Sequence, residues 1–285
     1  MESFDEKIKN KVLSFEYTKA PTESEVSSLF DQLDGTDSIY LPSEKKEEEG
    51  KIRTFQPFFM KFAAAVTILL IAGFSLYRLN DVNIYIVKGN TLTHTLPDGS
   101  AIEINADSEI RYNKMAWLWS RNVSLRGEAF FDVQKGRKFT VVSDLGSVQV
   151  LGTSFNVYAR GLGYQVECIS GRVSVNYVDS ETNTVLSKGE GIVYNENLKG
   201  KFYNFESENR TDWRNGEFYF DNESIKNVLD EFSRQYDVQV KFDSSNSHLK
   251  YSGYFNNSDL EIALKMICEP LELTYQIKND YIEIN

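Results

Sequence analysis

Catalysis in this chain would have to start from a few side chains, and none of them falls into a working pattern. The carboxylate pairs Asp98/Glu103 and Asp221/Glu223 are of the type that glycan hydrolysis uses. No spacing singles them out, however, because 42 Asp and Glu against 31 Lys and Arg give a net charge of −11 and many such pairs. Gly152-Thr153-Ser154-Phe155-Asn156 approaches the nucleophile elbow G-x-S-x-G, but Asn156 stands where the turn needs its last glycine. Gly161-Leu162-Gly163 lacks the third glycine of a dinucleotide loop, and there is no H-E-x-x-H. Two histidines and two cysteines, widely scattered, make no metal-ligand set. The expectation is a binding protein with no catalytic residue, cofactor or metal. Cys168 and Cys268 are compatible with one disulfide or with two buried thiols, since Gln165 to Cys168 alternates like a strand.

An apolar run from Phe58 to Tyr77 divides the chain. Its core, Phe62 to Tyr77, carries no charge. As a helix it spans about 24 Å, and Phe58, Phe59 and Met60 extend it toward a bilayer core of about 30 Å. It is apolar on all sides rather than along one stripe, which predicts a transmembrane helix over 58–78. The 57 residues before it are mostly polar, so it does not read as a signal peptide. Lys45, Lys46, Lys51, Arg53 and Lys61 precede the run, whereas only Arg78 and Lys88 follow closely. The positive-inside rule then puts the N-terminus in the cytoplasm and the longer C-terminal part outside.

Residues 1–57 read as a helical tail and linker. Phe4, Ile8, Val12 and Phe15 recur at helical spacing, and Val26, Leu29, Phe30 and Leu33 form a second stripe behind the capping box Thr22-x-x-Glu25. Two short helices cannot bury both stripes between them, so the stripes need a partner. The tail is acidic, which argues against direct nucleic-acid binding and for a basic protein partner.

The pattern changes to period two in residues 84–206. Val123/Leu125, Phe131/Val133, Phe139/Val141, Val148/Val150, Phe155/Val157, Val166/Cys168 and Val173/Val175 alternate between turn signals such as Asp98-Gly99 and Ser170-Gly171. Short strands at this spacing predict an all-β domain, as sandwich, barrel or β-solenoid. Asp98-Gly99 reads as a hairpin turn, and Gly127 and Gly152 as glycines at strand corners. Phe130 and Phe131 point to opposite faces of one strand, one into the core and the other toward a second layer or an interface. Trp117 and Trp119 are expected to share a face.

Residues 214–285 repeat at an offset of about 35 residues. Phe220 falls on Phe255, Ile225 on Leu260, Leu229 on Leu264 and Phe232 on Ile267. Asn222 and Ser258 read as helix caps. Two strand-helix-strand units predict a compact α+β module, so the chain as a whole is mainly β with α+β.

The motifs Leu96-Pro97-Asp98-Gly99, Gly127-Glu128-Ala129-Phe130-Phe131-Asp132-Val133, Leu151-Gly152-Thr153-Ser154-Phe155-Asn156-Val157 and Gly171-Arg172-Val173 resemble the FecR family of membrane anti-sigma factors, in the family's order. The terminal repeat resembles the secretin/TonB short N-terminal (STN) domain that follows in such proteins of Bacteroides-type bacteria. The resemblance implies a β-solenoid-like exterior fold and a single-pass protein of the inner membrane with a periplasmic C-terminus. It further implies an extracytoplasmic-function sigma factor held by the tail, here through Phe4, Ile8, Val26, Leu29, Phe30 and Leu33. The exterior part would sense the N-terminal signalling domain of a TonB-dependent outer-membrane transporter, membrane proteases would act on the chain, and nutrient-uptake genes would be the regulated output. The alternative is an envelope scaffold with an inert tail.

Overall fold

A computed structural model describes residues 22–24, 57–180, 183–195, 198–205, 212–243 and 246–285. Phe4, Ile8, Val26, Leu29, Phe30 and Leu33 lie outside the described residues, as does Glu25 of the expected capping box. Helix α1 (Pro57–Leu79) opens on a proline, whose missing N–H costs nothing at that position. From Lys61 to Leu79 its mean hydropathy is 1.9 and none of it is buried. It is the one helix among the described residues long and apolar enough to cross a membrane.

Thirteen strands follow in one sheet that curls into a half-barrel. They are β1 (Asp81–Ile86), β2 (Leu92–Thr95), β3 (Ala101–Ile104), β4 (Ser108–Asn113), β5 (Arg121–Asp132), β6 (Phe139–Ser143) and β7 (Gly146–Val150). Then come β8 (Ser154–Arg160), β9 (Gly163–Ser170), β10 (Arg172–Tyr177), β11 (Thr184–Ser187), β12 (Glu190–Asn195) and β13 (Leu198–Asn204). The long strand β5 organises them. Its first half lies between β4 and β6, its second half between β3 and β8, and Gly127 stands at the changeover. There φ is +110°, and a Cβ would lie 2.4 Å from Ser108 Oγ. The bend brings the end of β5 back beside its start, so that Arg121 Nη1 reaches the Gln134 carbonyl at 3.0 Å. A short connection thus suffices for β6 to run parallel to β5, a pairing that otherwise needs a long crossover. The other ladders of this sheet are antiparallel. These ladders establish a mixed half-barrel sheet; a solenoid, which stacks strands coil upon coil, is more than they establish.

Both members of each alternating pair read from the sequence are buried in the first core. Trp117 joins them, edge-on to Tyr112 and Phe139. Trp119 does not share its face. The two lie in and just after a 3₁₀ turn (Ala116–Leu118), where residues two apart diverge, and Trp119 is exposed.

The terminal part runs β14 (Glu217–Ser224), α2 (Ile225–Tyr236), β15 (Gln239–Phe242), β16 (Lys250–Asn256), α3 (Leu260–Cys268), β17 (Tyr275–Ile277) and β18 (Tyr281–Ile284). β14 pairs with β16, and β15 and β17 flank β18. Ile225, Val228, Leu229 and Phe232 of α2 meet Ala263, Leu264 and Ile267 of α3 in a second core. Both expected caps shift. Ser224, not Asn222, caps α2 by accepting the Asn227 N–H (3.2 Å), and Asn222 sits at φ +51° in a bulge of β14. Asp259, not Ser258, caps α3 by accepting the Ile262 N–H (3.0 Å). Cys168 and Cys268 are free thiols, each buried in a different core, and burial pushes both up to about 11.

Candidate functional site at the joint between the two cores

The second half of β5 holds the two cores together. Alternation sends Phe131 into the first core and Phe130, one residue earlier, into the second. The Arg214 guanidinium lies 4.1 Å over the Phe130 ring and binds both oxygens of Glu103 on β3. Phe130 is therefore the interface residue of the pair.

Beside it runs a buried polar chain. Glu128 on β5 accepts from Asn156 Nδ2 and Asn105 Nδ2, both at 2.9 Å. Asn156 Oδ1 accepts from the buried Trp213 indole at 3.3 Å. Asn105 Oδ1 accepts from Gln235 Nε2 of α2 at 3.0 Å, and the same amide donates to Glu231 Oε1 at 2.8 Å. Glu231 Oε2 takes the Arg234 guanidinium at 3.1 and 2.5 Å. A backbone bond closes the joint from the side, Gly89 N–H to the Arg234 carbonyl at 2.7 Å. Buried polar groups are tolerated when they find partners, and here two of the bonds, Trp213 to Asn156 and Gln235 to Asn105, cross between the two parts.

Charge inside the joint is unevenly held. Burial, then the nearby Glu231 charge, pushes the Glu128 carboxyl up to about 7, against the pull of Arg160 and the two asparagine amides. Glu231 is equally buried, yet Arg234 and Arg160 hold its carboxyl below the usual range. Arg160 is fixed by the Ala106 and Asp107 carbonyls at 2.6 and 2.7 Å and serves both carboxylates electrostatically. The arrangement holds the two cores together; among the described residues no group of three or more His, Cys, Asp or Glu gathers as for a metal.

The remaining motif residues are placed as follows. Leu96, Ala129, Val133, Phe155, Val157 and Val173 fill the first core. Pro97, Asp98 and Gly99 (φ +83°) form the β2–β3 turn, and Asp98 also binds the buried Arg121 at 2.8 Å. That salt bridge, with the backbone and side chain of Ser100, holds the Asp98 carboxyl low although burial works the other way. Thr153 is buried and donates to the Arg172 carbonyl at 3.1 Å. A Cβ on Gly152 would meet Lys135 at 2.6 Å, and Gly171 adopts φ +77°. Leu151 stays in solvent. The motifs thus brought Glu128, Phe130 and Asn156 into one site. They did not reveal Asn105, Trp213, Arg214, Glu231, Arg234 and Gln235; the one trace of them is a set of polar residues beside the apolar stripe of α2.

Comparison with known proteins places both parts. Residues 83–174 match the family model described as FecR protein, and residues 217–284 match the one described as FecR, C-terminal. Two crystal structures of a protein from Parabacteroides distasonis, described provisionally as an anti-sigma factor, are similar at 28% identity with TM-scores of 0.65 and 0.66. Each match covers 72% of this chain and 98% of the other. Among curated proteins no significant match was found.

Proposed function

The chain belongs to the FecR family, and on that premise we propose that it is a single-pass anti-sigma factor of the inner membrane. In this reading α1 crosses the bilayer, with Lys45, Lys46, Lys51 and Arg53 keeping residues 1–57 in the cytoplasm. The tail holds an extracytoplasmic-function sigma factor through Val26, Leu29, Phe30 and Leu33, with Phe4 and Ile8 beside them. Residues 84–206 and 214–285 form the periplasmic sensor, which meets the signalling domain of a TonB-dependent transporter. Membrane proteases release the tail, and nutrient-uptake genes respond.

The observation that carries this reading is the order of parts: an apolar helix, then a FecR match, then a FecR C-terminal match. The tightly closed joint supports it, because a contact made on the terminal module is felt by the β-sheet through buried groups rather than through a loose linker. The test is affinity capture of the full chain from native membranes, with bound proteins identified by mass spectrometry. A sigma factor should co-purify with the wild type and be lost with Leu29→Asp/Phe30→Asp while membrane insertion persists. An intact, inserted chain that captures no sigma factor would favour the scaffold alternative.

A further inference from the structure

The curled sheet has two ends of different character, and α1 leaves from one of them. A single turn residue, Asn80, joins α1 to β1. The Asn113 side chain donates to the Tyr77 carbonyl (2.7 Å), and the Lys114 N–H donates to the Asn80 carbonyl (2.9 Å). The helix exit is thereby tied to the last residues of β4. The 3₁₀ turn follows at once, burying Trp117 and leaving Leu118 and Trp119 68% and 69% exposed. Besides the turn's own bonds, Arg137 fixes this segment by donating to the carbonyls of Leu118 (2.9 Å), Trp119 (3.3 Å) and Trp117 (3.3 Å).

Strand register carries this end across the sheet. Arg121 is level with Phe139, Phe139 with Val150, and Arg172 with Ser187. Basic and apolar side chains are prominent among the exposed positions on this rim, beside the polar Ser120, Gln134 and Ser187. Lys138 precedes Phe139, Leu151 (65% exposed) follows Val150, and Lys135 packs on Gly152. Among the described residues, the carboxylates at the same end have partners: Asp98 binds Arg121, Asp132 accepts from Ser154, Glu190 accepts the Ser187 N–H and Asp81 binds Asn113. At the opposite end of the sheet the strand connections carry Asp107, Asp144 and Asp179, and the Lys88 found there donates to Ser233 of α2 at 3.4 Å. A chain of net charge −11 has thus kept a basic, apolar edge where its apolar helix emerges.

We infer that this rim rests on the lipid surface from which α1 emerges, with Leu118, Trp119 and Leu151 in the headgroup layer and Lys135, Lys138 and Arg172 on anionic phosphates. The inference rests on the reading that α1 spans a bilayer. Tryptophan favours the membrane interface, and bases just outside it are drawn to anionic lipid. Continuity of the rim with the helix exit selects lipid over a protein partner, because a protein covering these residues would have to fit between the sheet and the membrane.

The test uses the full chain in nanodiscs containing phosphatidylglycerol, with lipids brominated near the headgroup as quenchers. Trp117 and Trp213 are buried, so Trp119 is the tryptophan open to quenching. Wild-type emission should be dimmed by the brominated lipid, and that loss should disappear in Trp119→Phe. It should shrink when phosphatidylcholine replaces phosphatidylglycerol, and again in Lys138→Glu/Arg172→Glu. Equal quenching of wild type and Trp119→Phe in discs that retain the chain overturns the rim assignment. Trp119 shielded from aqueous acrylamide yet untouched by brominated lipid also overturns it, in favour of a second copy or another protein. Retention in the discs after an alkaline wash reads the span separately. A chain that washes out overturns the spanning reading and the rim with it.

Discussion

Glu128 answers to two opposed demands. The Asn105 and Asn156 amides point donors at both of its oxygens, an arrangement made for a carboxylate, while burial and the Glu231 charge favour the acid. The balance leaves its carboxyl at about 7 against an ordinary 4.5. Because the folded value is the higher one, the unfolded chain loses this proton first as pH rises. The contribution of Glu128 to stability is therefore largest on the acid side and falls between about pH 5 and about pH 7, by on the order of 3 kcal/mol. Glu231 works in the other direction, since its value is lowered: its contribution is present above the ordinary glutamate range and lost as pH falls below it. Glu128→Gln removes the first slope. At the acid end the variant should lie within about 1 kcal/mol of wild type, because the protonated carboxyl and the amide each present one carbonyl oxygen and one donor to the two asparagine amides, and it should lose less as pH rises. Thermal unfolding at a series of pH values checks this, and equal slopes in the two proteins would refute it. At this scale the sequence was partly legible. Glu128, Phe130 and Asn156 stood in recognisable motifs, whereas Asn105 and Gln235, 130 positions apart and 3.0 Å across the joint, carry no local pattern.

At the scale of elements, β5 shows what a residue pattern can and cannot announce. Alternation at Val123/Leu125 and Phe131/Val133 marks two strand segments, and both are there, but as one strand bent at Gly127. A bend depends on which neighbours each half finds, and that is settled by strands distant in sequence. Gly127→Ala tests the bend. Its Cβ would fall within 2.7 Å of the Ser108 Cα, Cβ and Oγ atoms, and φ +110° strains any side chain. The substitution should destabilise the first core by roughly 3 kcal/mol or more, read as a lowered denaturant midpoint. Loss of less than about 1 kcal/mol would mean that the corner tolerates a side chain. Helix stripes were legible for the same reason as the alternation: Ile225, Val228, Leu229 and Phe232 bury one face whatever they pack against. Caps were less so. Asn222 and Ser224 are both competent capping types, and the bulge that turns Asn222 away from the helix is a property of the pairing between β14 and β16. Trp117 and Trp119 separate because two residues apart means one face in a strand and different faces in a 3₁₀ turn.

The two cores meet around β5 and α2, with Trp213, Arg214 and Gly89 adding contacts, and β4 extends from that joint to the helix exit. Ser108 at its start accepts the Glu128 N–H at 3.0 Å, and Asn113 at its end holds the Tyr77 carbonyl at 2.7 Å. A strand of this length covers roughly 20 Å. The terminal module thus touches the sheet where β4 begins, and α1 touches it where β4 ends. Such a connection transmits only if the two cores behave as one body, and that is measurable. Phe130 contributes its ring to the second core from a strand of the first, and Arg214 clamps it from the other side while binding Glu103. Removing both side chains by Phe130→Ala/Arg214→Ala deletes the apolar anchor and the ion pair together, at a cost to the joint of about 3 kcal/mol or more. Each core keeps its own buried stripes. Calorimetry on the full chain should therefore show a single cooperative transition for the wild type and two resolved transitions for the double variant, the lower one belonging to residues 217–284. A double variant that still melts in one transition, merely at lower temperature, would mean that the buried chain from Glu128 to Arg234 suffices to couple the cores. Two transitions already present in the wild type would mean that the joint is a contact between independent bodies, and β4 would then carry no message to the helix.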